Sequence, residues 1–313
     1  MDTKRESILA YFCLGGVSLI WGTTYLAIRI GVADFPPFLF AGIRQITAGI
    51  LLSGFMLLFF RHRIAQVQWL PQMAGGFLMI TMGNGLVSWA EVYVPSGVAS
   101  IICSLMPALV VMINLFADRT EAPNGLILTG LLIGLGGIFL VFSEYLAAFA
   151  NGYYTLGIIF IFTATFSWAL GSVLIKKRGK GSNPFFNAGL QMFFGGVFCL
   201  PVSLAFDDYA NFSWNTEAIY ALVYLSLLGS VAAFAMYSYA LTRLPVTIAS
   251  LYSYINPLVA VLLGWLLAHE MLNFKIALAF IITVGGIYLV SYGHRQKKKE
   301  LPLALDADKA IPL

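Results

Sequence analysis

Charged side chains are scarce in this chain of 313 residues, because lysine, arginine, aspartate and glutamate together make up only 10% of it. Hydrophobic residues make up 60%. Soluble globular domains carry about 25% charged residues, and a water-soluble fold of the present composition would leave large apolar areas exposed to solvent. The composition therefore excludes a soluble protein and predicts one that is surrounded by lipid.

Residues and motifs that support catalysis or metal binding are also few. The three cysteines, Cys13, Cys103 and Cys199, lie in apolar stretches without a Cys-x-x-Cys spacing, and the three histidines fall at the ends of such stretches. The chain contains no G-x-x-x-x-G-K-[ST] phosphate loop, no H-E-x-x-H and no G-x-S-x-G. We therefore predict packing roles for the cysteines, and no disulfide, metal site, cofactor or enzymatic activity.

Ten apolar segments are long enough to cross a membrane, whose core requires about 20 apolar helical residues. Their predicted bounds are 8–30, 37–60, 70–93, 97–117, 125–143, 154–175, 184–206, 218–241, 247–268 and 274–292. Only helices and closed barrels can span lipid, because lipid offers the backbone no hydrogen-bond partners, and these runs are too long for barrel strands. The predicted fold class is an all-α membrane protein with ten transmembrane helices.

Basic residues are distributed unevenly among the predicted loops. If the N-terminus is cytoplasmic, most lysines and arginines near the ends of the predicted helices lie on the cytoplasmic side. Only Arg29 and Lys275 then lie on the outer side. The positive-inside rule then places both termini in the cytoplasm. The basic stretch HRQKKK at 294–299 is interpreted either as a topology anchor before a disordered end or as a lipid-binding patch. No soluble domain that could bind nucleic acid is visible.

Two motifs occur twice in the chain. PPFLFAGIRQITAG at 36–49 aligns with NPFFNAGLQMFFGG at 183–196, an offset of 147 residues. VPSGVASIICSLMP at 94–107 aligns with LPVTIASLYSYINP at 244–257, an offset of 150 residues. The small change of offset is expected where loops differ in length.

A third match relates GGIFLV at 136–141 to GGIYLV at 285–290, an offset of 149 residues. We therefore predict a first five-helix repeat at 1–147, a second at 148–293 and a disordered cytoplasmic tail at 294–313. Because five is odd, the second repeat enters the membrane in the opposite orientation. Inverted repeats of this kind are typical of secondary transporters that work by alternating access.

Two prolines, Pro107 and Pro257, end the second matched motif and lie inside apolar segments. In the predicted topology each lies about 15 Å deep, measured from opposite faces of the membrane. One interpretation is a pair of kinks tolerated for packing. The other is a pair of flexing helices that line a cavity and contribute to gating, and the symmetric placement favours this second interpretation.

The chain resembles the drug/metabolite transporter superfamily, in its ten-helix EamA-like branch. The resemblance is carried by IWGTTYLAIRIG (20–31), PPFLFAGIRQITAG (36–49), VPSGVASIICSLMPALV (94–110), FSWALGSVLIKK (166–177) and LPVTIASLYSYINPLVAVLLGWLLAHE (244–270). It implies a transporter in the bacterial inner membrane with five plus five helices in inverted repeats. It also implies export of amino acids, other metabolites or toxic compounds.

Two charged residues, Arg44 and Glu91, fall within predicted spans and are candidates for gating or coupling, because charge inside lipid is costly. Arg44 is interpreted as a functional group or as a side chain that reaches the outer headgroups. Glu91 is interpreted as a group at the cavity or as an interface glutamate exposed to water. We expect both near the outer side, where they can pair, or where Glu91 can bind a substrate amine or exchange a proton.

Six aromatic and amide residues are candidates for substrate binding. Trp21 and Trp168 are repeat mates near mid-span, whereas tryptophan usually lies at the membrane interface, and they either line a cavity or make a tight core contact. Asn84 lies between two glycines in mid-span, and Asn256 precedes a proline. The full predicted set is Trp21, Asn84, Trp168, Tyr237, Tyr252 and Asn256.

The predicted function is secondary transport, most simply export of small metabolites such as amino acids. A broad-specificity exporter of drugs or toxic compounds is the alternative within the same class. An intramembrane enzyme would need a catalytic dyad at depth, and a sensor or scaffold would not need two inverted halves. The expected partners are a small-molecule substrate and the lipid bilayer, and the choice between a monomer and a homodimer is left open.

Overall fold

A computed structural model describes residues 2–60, 67–117, 123–143, 152–178, 183–210, 212–268 and 274–308. Within these ranges all regular secondary structure is helical. The elements are α1 (Asp2–Gly31), α2 (Pro37–Phe60), α3 (Trp69–Gly75), π1 (Gly76–Gly85), α4 (Leu86–Ala90), α5 (Ser96–Cys103), α6 (Met106–Ala117), α7 (Gly125–Phe142), α8 (Gly152–Arg178), α9 (Pro184–Phe206), α10 (Thr216–Tyr224), π2 (Leu225–Ala232), α11 (Ala233–Arg243), α12 (Val246–Ala249), α13 (Tyr252–Ala268) and α14 (Phe274–Asp308).

Helices cover the predicted apolar segments. In the part of the chain that the structure describes, six helical stretches are long and apolar enough to cross a membrane by length and composition, namely Arg5–Gly31, Pro37–Phe60, Ser96–Ala117, Gly152–Arg178, Pro184–Phe206 and Thr216–Arg243. Two shorter apolar stretches, Gly125–Leu140 and Val246–Val259, accompany them. The structure is therefore an all-helical fold with the character of a multi-pass membrane protein.

The last helix differs from the sequence prediction. α14 continues to Asp308, so residues 294–308 are helical where a disordered tail is predicted from residue 294. This stretch contains three lysines, three leucines and two alanines, which are strong helix formers.

Two π-helical segments interrupt otherwise α-helical stretches. π1 separates α3 from α4, and π2 separates α10 from α11. Their first residues, Gly76 and Leu225, are 149 positions apart, close to the offsets of the sequence motifs. A π-helical turn is rare, occurs often at functional sites, and leaves backbone groups available to other partners. Neither segment is predicted from the sequence.

The helices next to the two prolines are broken in different ways. α5 ends at Cys103 and α6 begins at Met106, which places Pro107 in a first turn, where its missing N–H is tolerated. In the second half the break lies between Ala249 and Tyr252, and Pro257 remains inside α13. The structure therefore has a helix break before each proline instead of a matching pair of proline kinks. Only Pro257 lies in the interior of a helix.

Glycines let α2 and α9 approach closely in antiparallel orientation. A Cβ atom added at Gly49 would lie 2.8 Å from the carbonyl oxygen of Gly189, and one at Gly196 would lie 2.9 Å from that of Gly42. An offset of 147 residues converts the first contact into the second, because it relates 42 to 189 and 49 to 196. The same offset relates a second pair of contacts. A Cβ atom at Gly49 would lie 2.5 Å from the backbone nitrogen of Phe193, and one at Gly196 would lie 2.7 Å from the backbone nitrogen of Ile46.

Helices α7 and α14 meet in the same self-complementary way. A Cβ atom at Gly137 would lie 2.8 Å from the carbonyl oxygen of Ala279, and one at Gly286 would lie 2.6 Å from that of Gly130. Here an offset of 149 residues exchanges the two contacts. Small residues at helix interfaces are the usual means of close packing in membranes.

One acidic residue fixes the start of α2. The Asp207 carboxylate, just after α9, accepts hydrogen bonds from the backbone nitrogens of Phe38 (3.3 Å) and Leu39 (3.0 Å) and from the Ser203 hydroxyl (2.6 Å). Burial raises the pKa of this carboxyl, and the three hydrogen bonds oppose that shift. At the matching start of α9, the cap is local, because the Asn183 side chain accepts from the Phe185 nitrogen at 2.9 Å.

Candidate functional site

A central cavity lies among α1, α2, π1, α4, α5, α6, α8 and α13. Six of the residues predicted for the site line its wall: Trp21, Arg44, Asn84, Trp168, Tyr252 and Asn256. Both predicted repeats therefore contribute to one cavity.

Aromatic rings form one side of the central cavity. The ring centroids of Trp21 and Trp168 are 5.4 Å apart in an edge-to-face arrangement, and those of Trp21 and Tyr252 are 4.7 Å apart. Tyr237, which the sequence predicts at the cavity, does not line the wall. It is fully buried behind Trp21, with its ring centroid 5.2 Å away, and its hydroxyl is hydrogen-bonded to Ser172 at 2.7 Å.

Each of the two tryptophans packs against a π-helical segment of the other predicted repeat. Trp21 donates its indole N–H to the carbonyl oxygen of Gly229 in π2 at 2.8 Å. Trp168 lies so close to π1 that a Cβ atom at Gly83 would be 2.7 Å from its ring. The tryptophans therefore contact both the cavity and the irregular backbone that borders it.

The residues that precede the two prolines also face the central cavity. Met106 and Asn256, 150 positions apart, both line it, whereas neither Pro107 nor Pro257 does. When the Asn256 amide is oriented so that its nitrogen faces the neighbouring carbonyl groups, this nitrogen donates to the carbonyl oxygens of Tyr252 (3.0 Å) and Ser18 (3.2 Å). The helix breaks near the prolines thus border the cavity from both repeats.

Arg44 is buried in the wall of the central cavity, with 2% of its surface exposed. Its Nε donates to the Ser230 hydroxyl at 2.9 Å, and its second guanidinium nitrogen, Nη2, lies against Gly229. Its Nη1 atom has no hydrogen-bond partner. The interpretation of Arg44 as a side chain that reaches the headgroups does not match this position.

Glu91 follows α4 and is also buried, with 1% of its surface exposed. Neither carboxylate oxygen has a hydrogen-bond partner, and the charges that act on it most are those of Arg29 and Arg44. Among the residues that the structure describes, no ion pair within 4.0 Å joins Glu91 to Arg44. Glu91 does not line the central cavity, and it is not the water-exposed interface glutamate of the alternative interpretation.

Several wall residues were not predicted. Thr24, Tyr25, Cys103 and Thr165 also line the central cavity, and the Thr165 hydroxyl lies 3.6 Å from the Cys103 sulfur. Thr24 and Tyr25 follow Trp21 by one helical turn, a spacing that puts them on the same face and could have identified them. Ser230, the anchor of Arg44, gives no such signal, because only the tertiary fold brings it there.

The chain matches a known protein family twice. Residues 8–143 and residues 155–292 each match the EamA-like transporter family. A crystal structure of a protein with 19% sequence identity superposes with a TM-score of 0.76, over 94% of this chain and 98% of that chain. At this level of identity the likeness shows a shared fold alone.

Several relatives have similar sequences, and two of the three described here bear the name of transporters. The inner membrane transporter YedA of Escherichia coli is 33% identical over 292 residues, which is 92% of either chain. The transporter YoaV of Bacillus subtilis is 26% identical over 90% of this chain and 96% of its own. The protein PecM of Dickeya dadantii is 28% identical over 90% of this chain and 93% of its own. The chain belongs to the EamA-like transporter family.

Proposed function

We propose that this protein is a secondary transporter that exports small metabolites, such as amino acids, across a bacterial inner membrane by alternating access. The observation that carries the proposal is the central cavity, whose wall contains Trp21 and Trp168, two residues at matching positions of the repeated sequence. Membership of a transporter family supports the transport role. A cavity shared by two inverted halves is the arrangement in which secondary transporters bind substrate.

We also propose ten membrane-spanning helices in two inverted repeats, at 1–147 and 148–293. The exchangeable glycine contacts between α2 and α9, and between α7 and α14, support this arrangement, because a two-fold axis makes each contact occur twice. Antiparallel packing of mates α2 and α9 supports an axis in the membrane plane. The doubled family match, to 8–143 and to 155–292, agrees with the same division.

Both termini are proposed to lie in the cytoplasm, and reporter fusions test this orientation. Reporters fused after Arg63 and after Lys180 are expected to lie in the cytoplasm. Reporters fused at Asn151 and at Asp208 are expected to lie outside the cell. Arg63, Lys180 and Asn151 lie outside the described residues. A cytoplasmic signal from the fusion at Asp208 would contradict the proposed orientation.

The irregular backbone around the central cavity supports a mechanism in which α5–α6 and α12–α13 flex. π1 and the residues beside the two helix breaks line the cavity, and π2 contacts the wall residues Trp21 and Arg44. Irregular helical backbone of this kind occurs often at functional sites. Arg44 and Glu91 are proposed to serve gating or coupling, since both are buried charges without an ion-pair partner within 4.0 Å among the described residues. Proton exchange at Glu91 would couple transport to a gradient.

Replacing Trp21 with phenylalanine is expected to change substrate preference more than the amount of protein in the membrane. Phenylalanine keeps an aromatic wall but cannot donate to the Gly229 carbonyl, so the contact with π2 is weakened. Trp168→Phe is expected to change preference less, because Trp168 meets Gly83 through its ring. Competition assays with a panel of unlabelled metabolites measure both effects. Unchanged preference in both variants would show that the tryptophans serve packing only.

Uptake into inverted vesicles tests the proposed function directly. Vesicles that contain the protein are expected to accumulate at least one member of a panel of labelled amino acids, and vesicles without it are the control. Accumulation that requires an imposed gradient would identify the coupling ion. Failure to accumulate any member, together with accumulation of hydrophobic drugs, would favour the second candidate, a broad-specificity exporter. The four aromatic residues of the cavity wall, Trp21, Tyr25, Trp168 and Tyr252, are the observation that favours this second candidate.

A further inference from the structure

The wall of the central cavity carries a positive charge, on which the buried carboxylate of Glu91 acts only from beyond ion-pair distance. Among the described residues that line the cavity, Arg44 is the only one with a charged side chain, and the others are apolar, aromatic, hydroxyl, amide or thiol residues. No carboxylate lies within 4.0 Å of Arg44 among the residues described. A buried charge without a partner is costly, so a group that binds a counter-charge is the simplest reason to keep it.

The guanidinium group of Arg44 is held in place with one nitrogen left over. Its Nε is anchored by Ser230 and its Nη2 packs on Gly229, so the side chain has little freedom. Its Nη1, which is buried, has no hydrogen-bond partner. A fixed guanidinium group with a free donor suits a carboxylate, to which arginine gives charge-assisted and often paired hydrogen bonds.

The matching residue in the other repeat is neutral and forms a buried hydrogen bond. Arg44 corresponds to Gln191 at the offset of 147, and Gln191 donates to the side-chain oxygen of Gln72 at 2.6 Å. The fold therefore accepts glutamine at this position. The charge at Arg44 is a departure from the repeat, which indicates a role in recognition and not in packing.

We infer that the transported molecule carries a carboxylate that binds Arg44, with its apolar body against Trp21, Trp168 and Tyr252. This inference rests on the proposed function, since it names the substrate class of the same cavity. The carboxylate can belong to a simple organic acid or to an amino acid. The wall offers no carboxylate for a balancing ammonium group among the described residues, so an ammonium group is not required for binding.

Titration calorimetry on the purified full chain tests the inference without any transport step. The probes share one apolar body: 3-phenylpropanoate, its amide, phenylalanine and 3-phenylpropylamine. We expect the carboxylate to bind about tenfold more tightly than the amide, because hydrogen bonds between charged groups contribute more than neutral ones. Phenylalanine that binds as well as 3-phenylpropanoate would support the site with amino acids as its source, and weaker binding would support it with simple acids.

Variants of Arg44 separate the charge from the shape. Arg44→Gln, which copies the residue of the other repeat, is expected to bind carboxylate and amide equally. Arg44→Lys is expected to restore part of the preference, since it restores charge without the planar fork. Arg243→Gln removes the same charge at an exposed ion pair with Glu6 and is expected to change nothing.

Three results would overturn the carboxylate inference: equal binding of carboxylate and amide by the unmodified protein, preference for the amine, or no binding of the carboxylate at millimolar concentration. None of these results bears on whether the protein transports, which the vesicle assay decides separately. A preference that survives in Arg44→Gln would also overturn it, because the carboxylate would then bind elsewhere.

Discussion

Replacing Gly49 with leucine is expected to prevent folding of the protein in the membrane. A Cβ atom at this position would already lie 2.5 Å from the backbone nitrogen of Phe193 in α9, and backbone cannot move aside as a side chain can. Gly49→Ala is expected to fold but to lose about 1–3 kcal/mol of stability, the usual cost of overpacking. The expected loss opposes the normal preference of a helix for alanine over glycine, about 1 kcal/mol.

Gly54 supplies the matched control on the same helix. A Cβ atom there would meet nothing within 4 Å, so Gly54→Leu and Gly54→Ala are expected to fold with unchanged or higher unfolding temperature. The yield of monodisperse protein in detergent and its unfolding temperature measure both pairs. Equal behaviour of Gly49 and Gly54 variants would show that the contact between α2 and α9 does not hold the two halves together.

Replacing Glu91 with glutamine is expected to reduce transport by about tenfold or more while the amount of folded protein stays the same. Glutamine keeps the size of the buried side chain but can neither ionise nor exchange a proton. The electrostatic link of Glu91 to Arg29 and Arg44 is lost with it. The initial rate of uptake into inverted vesicles, recorded over a range of pH with the substrate that the panel identifies, measures the effect.

The matched control for Glu91 is Glu217, an exposed glutamate in the first turn of α10. Glu217→Gln removes the same charge without touching the interior, and we expect a normal rate. Normal transport by Glu91→Gln across the pH range would contradict a role for Glu91 in proton coupling or substrate binding. In that case Glu91 would be a structural residue that interacts with Arg29.

The sequence predicts helix positions well because length and hydropathy decide them. The predicted segments 37–60 and 184–206 coincide with the bounds of α2 and α9. Trp21 and Trp168 could be selected because an aromatic residue repeated at mid-span is unusual. Arg44 and Asn256 could be selected because polar groups inside lipid are costly. All four line the same cavity.

Local irregularities of the backbone could not be predicted in the same way. Nothing in the hydropathy of 76–85 separates π1 from an α-helix, because the difference arises from packing against α8 and α9. The position of a helix break also depends on tertiary contacts, so a proline marks it only approximately, as Pro257 shows. The hydroxyl of Tyr237 in the eighth apolar segment predicts a place on the cavity wall, but the side chain lies behind Trp21 and its hydroxyl is hydrogen-bonded to Ser172.

The central claim, that the cavity opens in turn to each side of the membrane, is tested most directly by chemical labelling of Cys103. This native cysteine lines the central cavity, and Cys13 and Cys199 can be changed to serine so that it is the only thiol. In sealed vesicles of either orientation, a membrane-impermeant thiol reagent is expected to label Cys103, and transported substrate to slow the labelling from both sides. A thiol compound enclosed inside the vesicles is expected to stay unlabelled by the reagent outside. An open pore would let the reagent reach that compound, so this control separates a pore from alternating access. Labelling from one side only, with or without substrate, would contradict alternating access.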